Sequence, residues 1–137
     1  MIRHHRIVRS ALASLLLVVA PVAFIGCGEI GRIRECNSLN ETINKGSNVL
    51  TDINAARDLD ERIAEIEAFD QSVGKVAVER PELRAFIDEY RKLLADVIVY
   101  AREIKDSSDY GEMERRSGEL SKREKDLVDR INNYCRG

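Results

Sequence analysis

Residues 82–106, ELRAFIDEYRKLLADVIVYAREIKD, carry the most regular apolar pattern in the chain. Apolar side chains recur there at alternating steps of four and three residues: Leu83, Ile87, Tyr90, Leu94, Val97, Ala101 and Ile104. This spacing places one apolar stripe along one face of an α-helix, which buries that face against other helices. Additional apolar residues between Leu93 and Ala101 widen the stripe. We therefore expect the most buried helix of the domain here, with an exposed apolar patch as the alternative interpretation.

Three more apolar stripes flank this segment at helical spacing. They run over 36–53, 59–76 and 110–131, and the last is the weakest because Ser117 and Glu124 interrupt it. Glycine and proline are scarce between the stripes, and charges of both signs are mixed throughout, as is typical of helices. The sequence predicts four helices, over 33–54, 58–78, 82–106 and 110–135.

The breaks between these helices have recognisable chemistry. Asp58 stands three residues before Glu61, and Asp109 stands three residues before Glu112, so each pair forms a capping box. Pro81 fits the first turn of a helix and forbids continuation of the preceding one. Short connections between helices of similar length favour antiparallel neighbours. We predict an all-α fold, an antiparallel up-down four-helix bundle.

The first 26 residues have the order of a secretory signal. Arg3, Arg6 and Arg9 form a basic start, and residues 11–25 then contain no charge. This apolar stretch is shorter than the roughly 20 residues that a membrane-spanning helix needs.

The run Phe24-Ile25-Gly26-Cys27 at the end of this signal resembles the lipobox of bacterial lipoproteins. In that family the cysteine thiol receives diacylglycerol, and the signal peptide is cleaved before the cysteine. The resemblance implies a signal peptide over 1–26, lipidation of Cys27 and anchorage to the membrane. An uncleaved signal anchor with an incidental cysteine is the alternative.

The same resemblance bears on localisation and domain organisation. In Gram-negative lipoproteins an aspartate after the cysteine tends to hold the protein at the inner membrane, and this chain has Gly28 there. The resemblance thus implies the periplasmic face of the outer membrane. Residues 27–34 are expected to form a lipid-anchored spacer, and residues 35–137 a helical bundle domain similar to small helical lipoproteins of no named domain family.

The remaining cysteines form an even pair once Cys27 is lipidated. Cys36 opens the first predicted helix and Cys135 closes the last. Four antiparallel helices bring both to one end, whereas three would separate them by about 35 Å, far more than the roughly 7 Å that a disulfide allows between α-carbons. Export favours persistent disulfides. We predict that Cys36 and Cys135 form a disulfide between the first and last helices; two buried free thiols are the alternative.

The composition argues against several function classes. Without the three leader arginines the chain has 19 basic and 24 acidic side chains, a net charge of about −5, so nucleic acid is not an expected partner. Both histidines, His4 and His5, lie in the leader. Di-iron bundle sites, c-type haem attachment and Ser-His catalysis therefore have no residues to supply them. We expect no catalytic residue, no cofactor and no metal site.

The predicted function is that of a lipid-anchored envelope protein whose helical domain has a non-catalytic interaction or structural role, with a protein partner in the envelope. The alternative is a binding protein for a small apolar ligand, with its cavity among Phe86, Leu93, Val97 and Tyr100.

Two polar features have a structural and a functional interpretation. The charged run 112–126 contains the i,i+4 pairs Glu112–Arg116 and Glu119–Arg123, which fit a solvated face or a polar docking face. Five asparagines lie near the chain ends of the domain: Asn37, Asn40, Asn44, Asn132 and Asn133. One interpretation is that they are helix caps and polar surface positions; the alternative is that they form a recognition patch.

Overall fold

The computed structural model describes residues 26–51, 53, 56 and 58–137. The leader, with Phe24 and Ile25 of the lipobox, lies outside the described residues. The described part contains four α-helices and one short 3₁₀ helix. In chain order these are α1 Gly26–Gly46, the 3₁₀ helix Ser47–Leu50, α2 Leu59–Gly74, α3 Pro81–Ile104 and α4 Tyr110–Arg136.

The four helices form an up-down bundle. Helix α3 packs between α2 and α4, and α1 closes the bundle by packing against α2 and α4. Cys36 of α1 and Cys135 of α4 are joined in a disulfide with their α-carbons 5.6 Å apart. The predicted fold class, helix number and disulfide are confirmed.

The predicted helix starts are also confirmed for α2, α3 and α4. The Asp58 carboxylate accepts hydrogen bonds from the backbone N–H groups of Asp60 and Glu61, at 3.0 and 3.1 Å. The Asp109 carboxylate accepts one from the N–H of Glu112 at 3.0 Å. Pro81 occupies the first turn of α3. The two aspartate caps satisfy N–H groups that a helix start leaves without an intrahelical partner.

The core is apolar and is centred on α3, which supplies eight of its buried side chains. The prediction that this helix is the most buried is confirmed, and the exposed-patch alternative is wrong, since Val99 is the one large apolar side chain of α3 that is substantially exposed. The buried residues are Cys36, Leu39, Ile43, Ile53, Ile63, Ile66, Phe69, Val73, Val78, Leu83, Ile87, Tyr90, Leu93, Leu94, Val97, Tyr100, Ala101, Leu127 and Ile131.

The predicted end of the first helix at residue 54 is wrong. Helix α1 ends at Gly46, where a β-carbon would lie 2.0 Å from Cδ2 of Phe69, so a residue larger than glycine does not fit this close approach of the α2 side chain. The chain continues as a 3₁₀ helix. Leu50 and Ile53 nevertheless pack in or against the core. The predicted apolar stripe is therefore buried to its end, although the α-helix stops before these residues.

Two other boundaries differ from the prediction. Helix α1 extends back to Gly26, the first described residue, whereas the predicted start was 33, so the segment expected as a spacer is helical. Helix α2 ends at Gly74 instead of 78, and Val78 enters the core from the connection that follows.

Candidate functional site

The chain ends of the domain meet at one end of the bundle, and this end is the candidate functional site. We call it the closed end and define it as residues 26–40 of α1, the α2–α3 connection with the start of α3 (75–84), and residues 131–137. The up-down topology brings these three segments together. The closed end contains the disulfide and the helical turn that carries Cys27.

The disulfide is buried on one side and accessible on the other. Cys36 is 2% exposed and continues the inward stripe of α1, which follows with Leu39 and Ile43. Cys135 is half-buried at the end of α4. The bond therefore fastens the core-facing side of α1 to the last turn of the chain.

Arginine side chains attach the first turns of α1 to the rest of the closed end. Arg32 donates a hydrogen bond from Nη1 to the backbone oxygen of Tyr134, at 2.9 Å, and pairs with Glu29. Arg80 donates from its guanidinium to the backbone oxygen of Gly28, and its backbone N–H donates to Glu35 Oε2 at 3.3 Å. These contacts join segments far apart in the chain and hold residues 28–35 in place.

A surface depression of about 500 Å³ surrounds the outer side of the disulfide. Three of the five asparagines that the sequence singled out line it, namely Asn37, Asn40 and Asn132. Asn133 instead accepts a hydrogen bond from Arg136 at 3.1 Å, and Asn44 lies elsewhere on α1. The remaining lining residues are Ile33, Cys36, Cys135 and Arg136.

A second feature is a small cavity of about 30 Å³ beneath the 3₁₀ helix. Three of the four residues predicted to surround a ligand cavity line it, namely Leu93, Val97 and Tyr100. Phe86 does not, because it packs edge-on against Tyr134 at a ring distance of 5.9 Å. The other lining residues are Leu50, Ile53, Ser117, Leu120, Ser121 and Glu124.

The polar interruptions of the fourth stripe, Ser117 and Glu124, therefore converge on this cavity. Tyr90 donates a hydrogen bond from its hydroxyl to Glu124 Oε1 at 3.0 Å. Burial raises the pKa of the Glu124 carboxyl, an effect that the hydrogen bond from Tyr90 opposes. Burial, and then the nearby negative charge of Glu124, raise the pKa of Tyr90. The phenol thus stays protonated and acts as a donor, and the cavity has room for about one or two waters.

The charged run on α4 pairs differently from the prediction. Arg116 forms its direct salt bridge with Glu103 of α3, although its charge still acts on Glu112 in the predicted i,i+4 pair. Arg123 pairs with Asp96 of α3 at 2.9 Å in place of the predicted Glu119. Arg115 supplies two intrahelical pairs, with Glu112 at 2.6 Å and with Glu119 at 2.5 Å. Long arginine side chains reach the neighbouring helix, which leaves this face partly occupied by contacts within the bundle.

The described residues show neither a metal-ligand cluster nor a membrane-spanning helix. No group of three or more His, Cys, Asp or Glu side chains within them is arranged to hold a metal ion. Among the helices of that part of the chain, none has the length and apolar character needed to cross a bilayer.

No protein-family model matches the chain, and neither a curated protein nor a solved structure is significantly similar to it.

Proposed function

We propose that the protein is a lipid-anchored component of the bacterial envelope, acylated on Cys27, at the periplasmic face of the outer membrane. Its four-helix bundle is a non-catalytic interaction or structural domain that serves a protein partner in the envelope.

The disulfide is the observation that carries this proposal. Cys36 and Cys135 are joined to each other, so Cys27 is the one cysteine of three that the bond does not use. It is also the cysteine that ends the lipobox-like run. A disulfide-closed domain suits an exported compartment, where such bonds persist.

The structure supports a close attachment of the domain to the membrane. Helix α1 already includes Cys27, and about 14 Å of helix separates this residue from the disulfide at Cys36. Two or three acyl chains would hold the chain there, since a single chain binds membranes only marginally. The bundle is then presented at the membrane surface, without a long tether.

Binding of a small apolar ligand receives less support. The cavity beside α3 measures about 30 Å³, whereas ligand pockets usually measure about 300–1,000 Å³. Glu124 and Ser117 in its wall also favour water over an apolar molecule.

Substitution of Cys27 tests the lipid anchor. Cys27→Ser removes the acceptor thiol, so cells fed a palmitate analogue should incorporate no label into the variant, and cleavage before residue 27 should stop, leaving the longer precursor. The matched control is the double variant Cys36→Ala, Cys135→Ala, which should keep the same label per amount of protein. Label that persists in Cys27→Ser, or processing that does not change, would refute the proposal.

A further inference from the structure

We propose that the first two turns of α1 dock the closed end onto the phospholipid bilayer itself, with Ile30 and Ile33 inserted among the lipid headgroups. The inference deepens the proposed function and rests on the membrane attachment of the chain at the start of α1. It assigns a second membrane contact, made by the folded domain.

The exposure of two isoleucines motivates this proposal. Ile30 is 60% exposed and Ile33 is 48% exposed, although most large apolar side chains of the described residues lie in or against the core. Both belong to the helix that carries Cys27, three and six residues further on. Removal of the apolar surface of these two isoleucines from water would lower the free energy, so a partner that covers them is favoured.

Helix geometry gives the two isoleucines a common direction. At about 100° per residue, Ile30 and Ile33 lie about 60° apart around the axis of α1. They form one strip beside the stripe that begins at Cys36, and this strip is turned toward solvent. The axial rise from Cys27 to Ile33 is about 9 Å. Both side chains therefore lie within about 9 Å of Cys27, which is held at the membrane, and an apolar helix face enters the headgroup region by about 5–10 Å.

The polar groups beside the isoleucines suit lipid phosphates. Ile33 lines the surface depression together with Asn37, Asn132 and Arg136, whose amide and guanidinium groups donate hydrogen bonds. Arg34 is exposed next to Ile33. Basic side chains flanking an apolar face are typical of helices that lie in the membrane interface.

Continuity with the leader identifies the bilayer, not a protein, as the occupant of this surface. If the leader is cleaved, acyl chains on Cys27 enter the membrane; if it is retained, the uncharged stretch 11–25 does so. In both cases the chain leaves the bilayer a few residues before the isoleucines. A protein partner at this surface would have to displace lipid from apolar side chains already at the interface.

The absence of tryptophan from the chain permits a direct test. Single variants Ile33→Trp and Val99→Trp place one fluorescent reporter each at sites of equal exposure, 48% for both residues. Each variant, expressed from the complete sequence, purified from membranes and checked for the disulfide and for helical circular dichroism, is reconstituted into phosphatidylethanolamine–phosphatidylglycerol vesicles that contain brominated lipid. We expect bromine to quench the reporter of Ile33→Trp at least threefold more strongly than that of Val99→Trp, which lies on α3 away from the closed end.

The outcomes separate this inference from the lipid anchor. Protein that co-sediments with vesicles but shows equal quenching in both variants overturns the inference and leaves the anchor intact. The inference is also overturned, with the anchor intact, if a second protein or a second copy of the chain covers the reporter at position 33 and prevents its quenching. Strong quenching of Ile33→Trp in protein without palmitate label supports the inference and refutes acylation. Protein that neither carries label nor sediments overturns both. Ile30→Trp provides a second reporter if Ile33→Trp fails to fold.

Discussion

Helices α1 and α3 belong to one bundle but are held in it by different means. Helix α3 contributes eight buried side chains and makes ion pairs to both neighbours, for example Arg91 to Asp70 of α2 at 2.9 Å and Arg130 to Glu89 between α4 and α3 at 2.7 Å. Helix α1 buries mainly Cys36, Leu39 and Ile43. Its described salt bridges join residues within the helix itself.

The difference shows what the disulfide contributes. Side-chain packing on two sides suffices for α3, whereas α1 has a narrow apolar stripe and is attached covalently at its closed end. A cross-link stabilises by restricting the unfolded chain, and its effect grows with the length of the loop it closes. The outer face of α1 consequently does not need to pack in the core, and this is the face that carries Ile30 and Ile33.

The largest expected effect is the loss of the disulfide. In the double variant Cys36→Ala, Cys135→Ala, no bond closes the loop between these two positions, which are 99 residues apart. The chain-entropy relation gives a loss of up to about 4.7 kcal/mol in the free energy of unfolding. At about 4–8 °C per kcal/mol, the melting temperature should fall by more than about 10 °C. Thermal melts of the purified protein, with and without reductant, measure this change.

Hydrogen exchange in the same double variant tests the comparison between the helices. Amides of α1 should lose far more protection than those of α3, because of these two helices only α1 carries the bond. Equal loss of protection in both helices would mean that α1 is held by packing as firmly as α3.

A smaller effect is expected at Gly46. Gly46→Ala places a β-carbon against the Phe69 ring at the point where α1 ends, and such overpacking costs about 1–3 kcal/mol. Gly118→Ala is the matched control, because its β-carbon meets no atom within 4 Å. In the middle of α4 this exchange should stabilise by about 0.5–1 kcal/mol. Urea denaturation of both variants should give opposite signs; a neutral Gly46→Ala would contradict the close approach.

The smallest effect concerns Glu124, which faces the α3 side of the core. Its pKa in the folded protein is raised above the ordinary value of 4.5, so the folded state binds this proton more readily than the unfolded chain. Its contribution to stability is therefore full below pH 4.5 and is lost as the pH rises through the folded pKa. Glu124→Gln should be more stable than wild type at pH 7, by less than about 1 kcal/mol because the group is partly solvated.

The pH dependence of this difference provides the check. The advantage of Glu124→Gln should shrink when melting temperatures are compared at pH 4, where the wild-type carboxyl is protonated. Glu114→Gln, at an exposed position of the same helix, is the control and should change the melting temperature little. An advantage for Glu124→Gln that grows toward pH 4 would mean that the folded state favours the charged carboxylate instead.

The elements that repeat a local pattern could be predicted from the sequence. Four helices could be predicted from the stripes at helical spacing, the capping residues Asp58 and Asp109, and Pro81. These signals were sufficient because amphipathic spacing and capping act within a few residues. The disulfide followed from helix parity, since only an even number of antiparallel helices brings Cys36 and Cys135 together.

Contacts between distant segments set the features that sequence patterns missed. At the end of α1, the close approach of Phe69 from another helix requires a glycine at position 46, and the helical residues before 33 are accompanied by contacts of Gly28 with Arg80 and of Arg32 with Tyr134. The cross-helix pairing of Arg116 and Arg123 likewise depends on how α4 lies against α3. The stripe interruptions at Ser117 and Glu124 did mark the small cavity, but their convergence there is visible only in the fold.

Intact-mass spectrometry of the protein purified from membranes without reductant detects the lipid on Cys27 and the disulfide of the bundle in one measurement. We expect a chain that begins at Cys27 and carries diacylglycerol, with or without a further acyl group. Its mass should be two hydrogens lower than that of the reduced form, as expected for Cys36 joined to Cys135. Fragmentation should place the lipid on Cys27 alone. A chain that retains residues 1–26 with Cys27 unmodified, or one in which Cys36 and Cys135 are both free thiols, would contradict it.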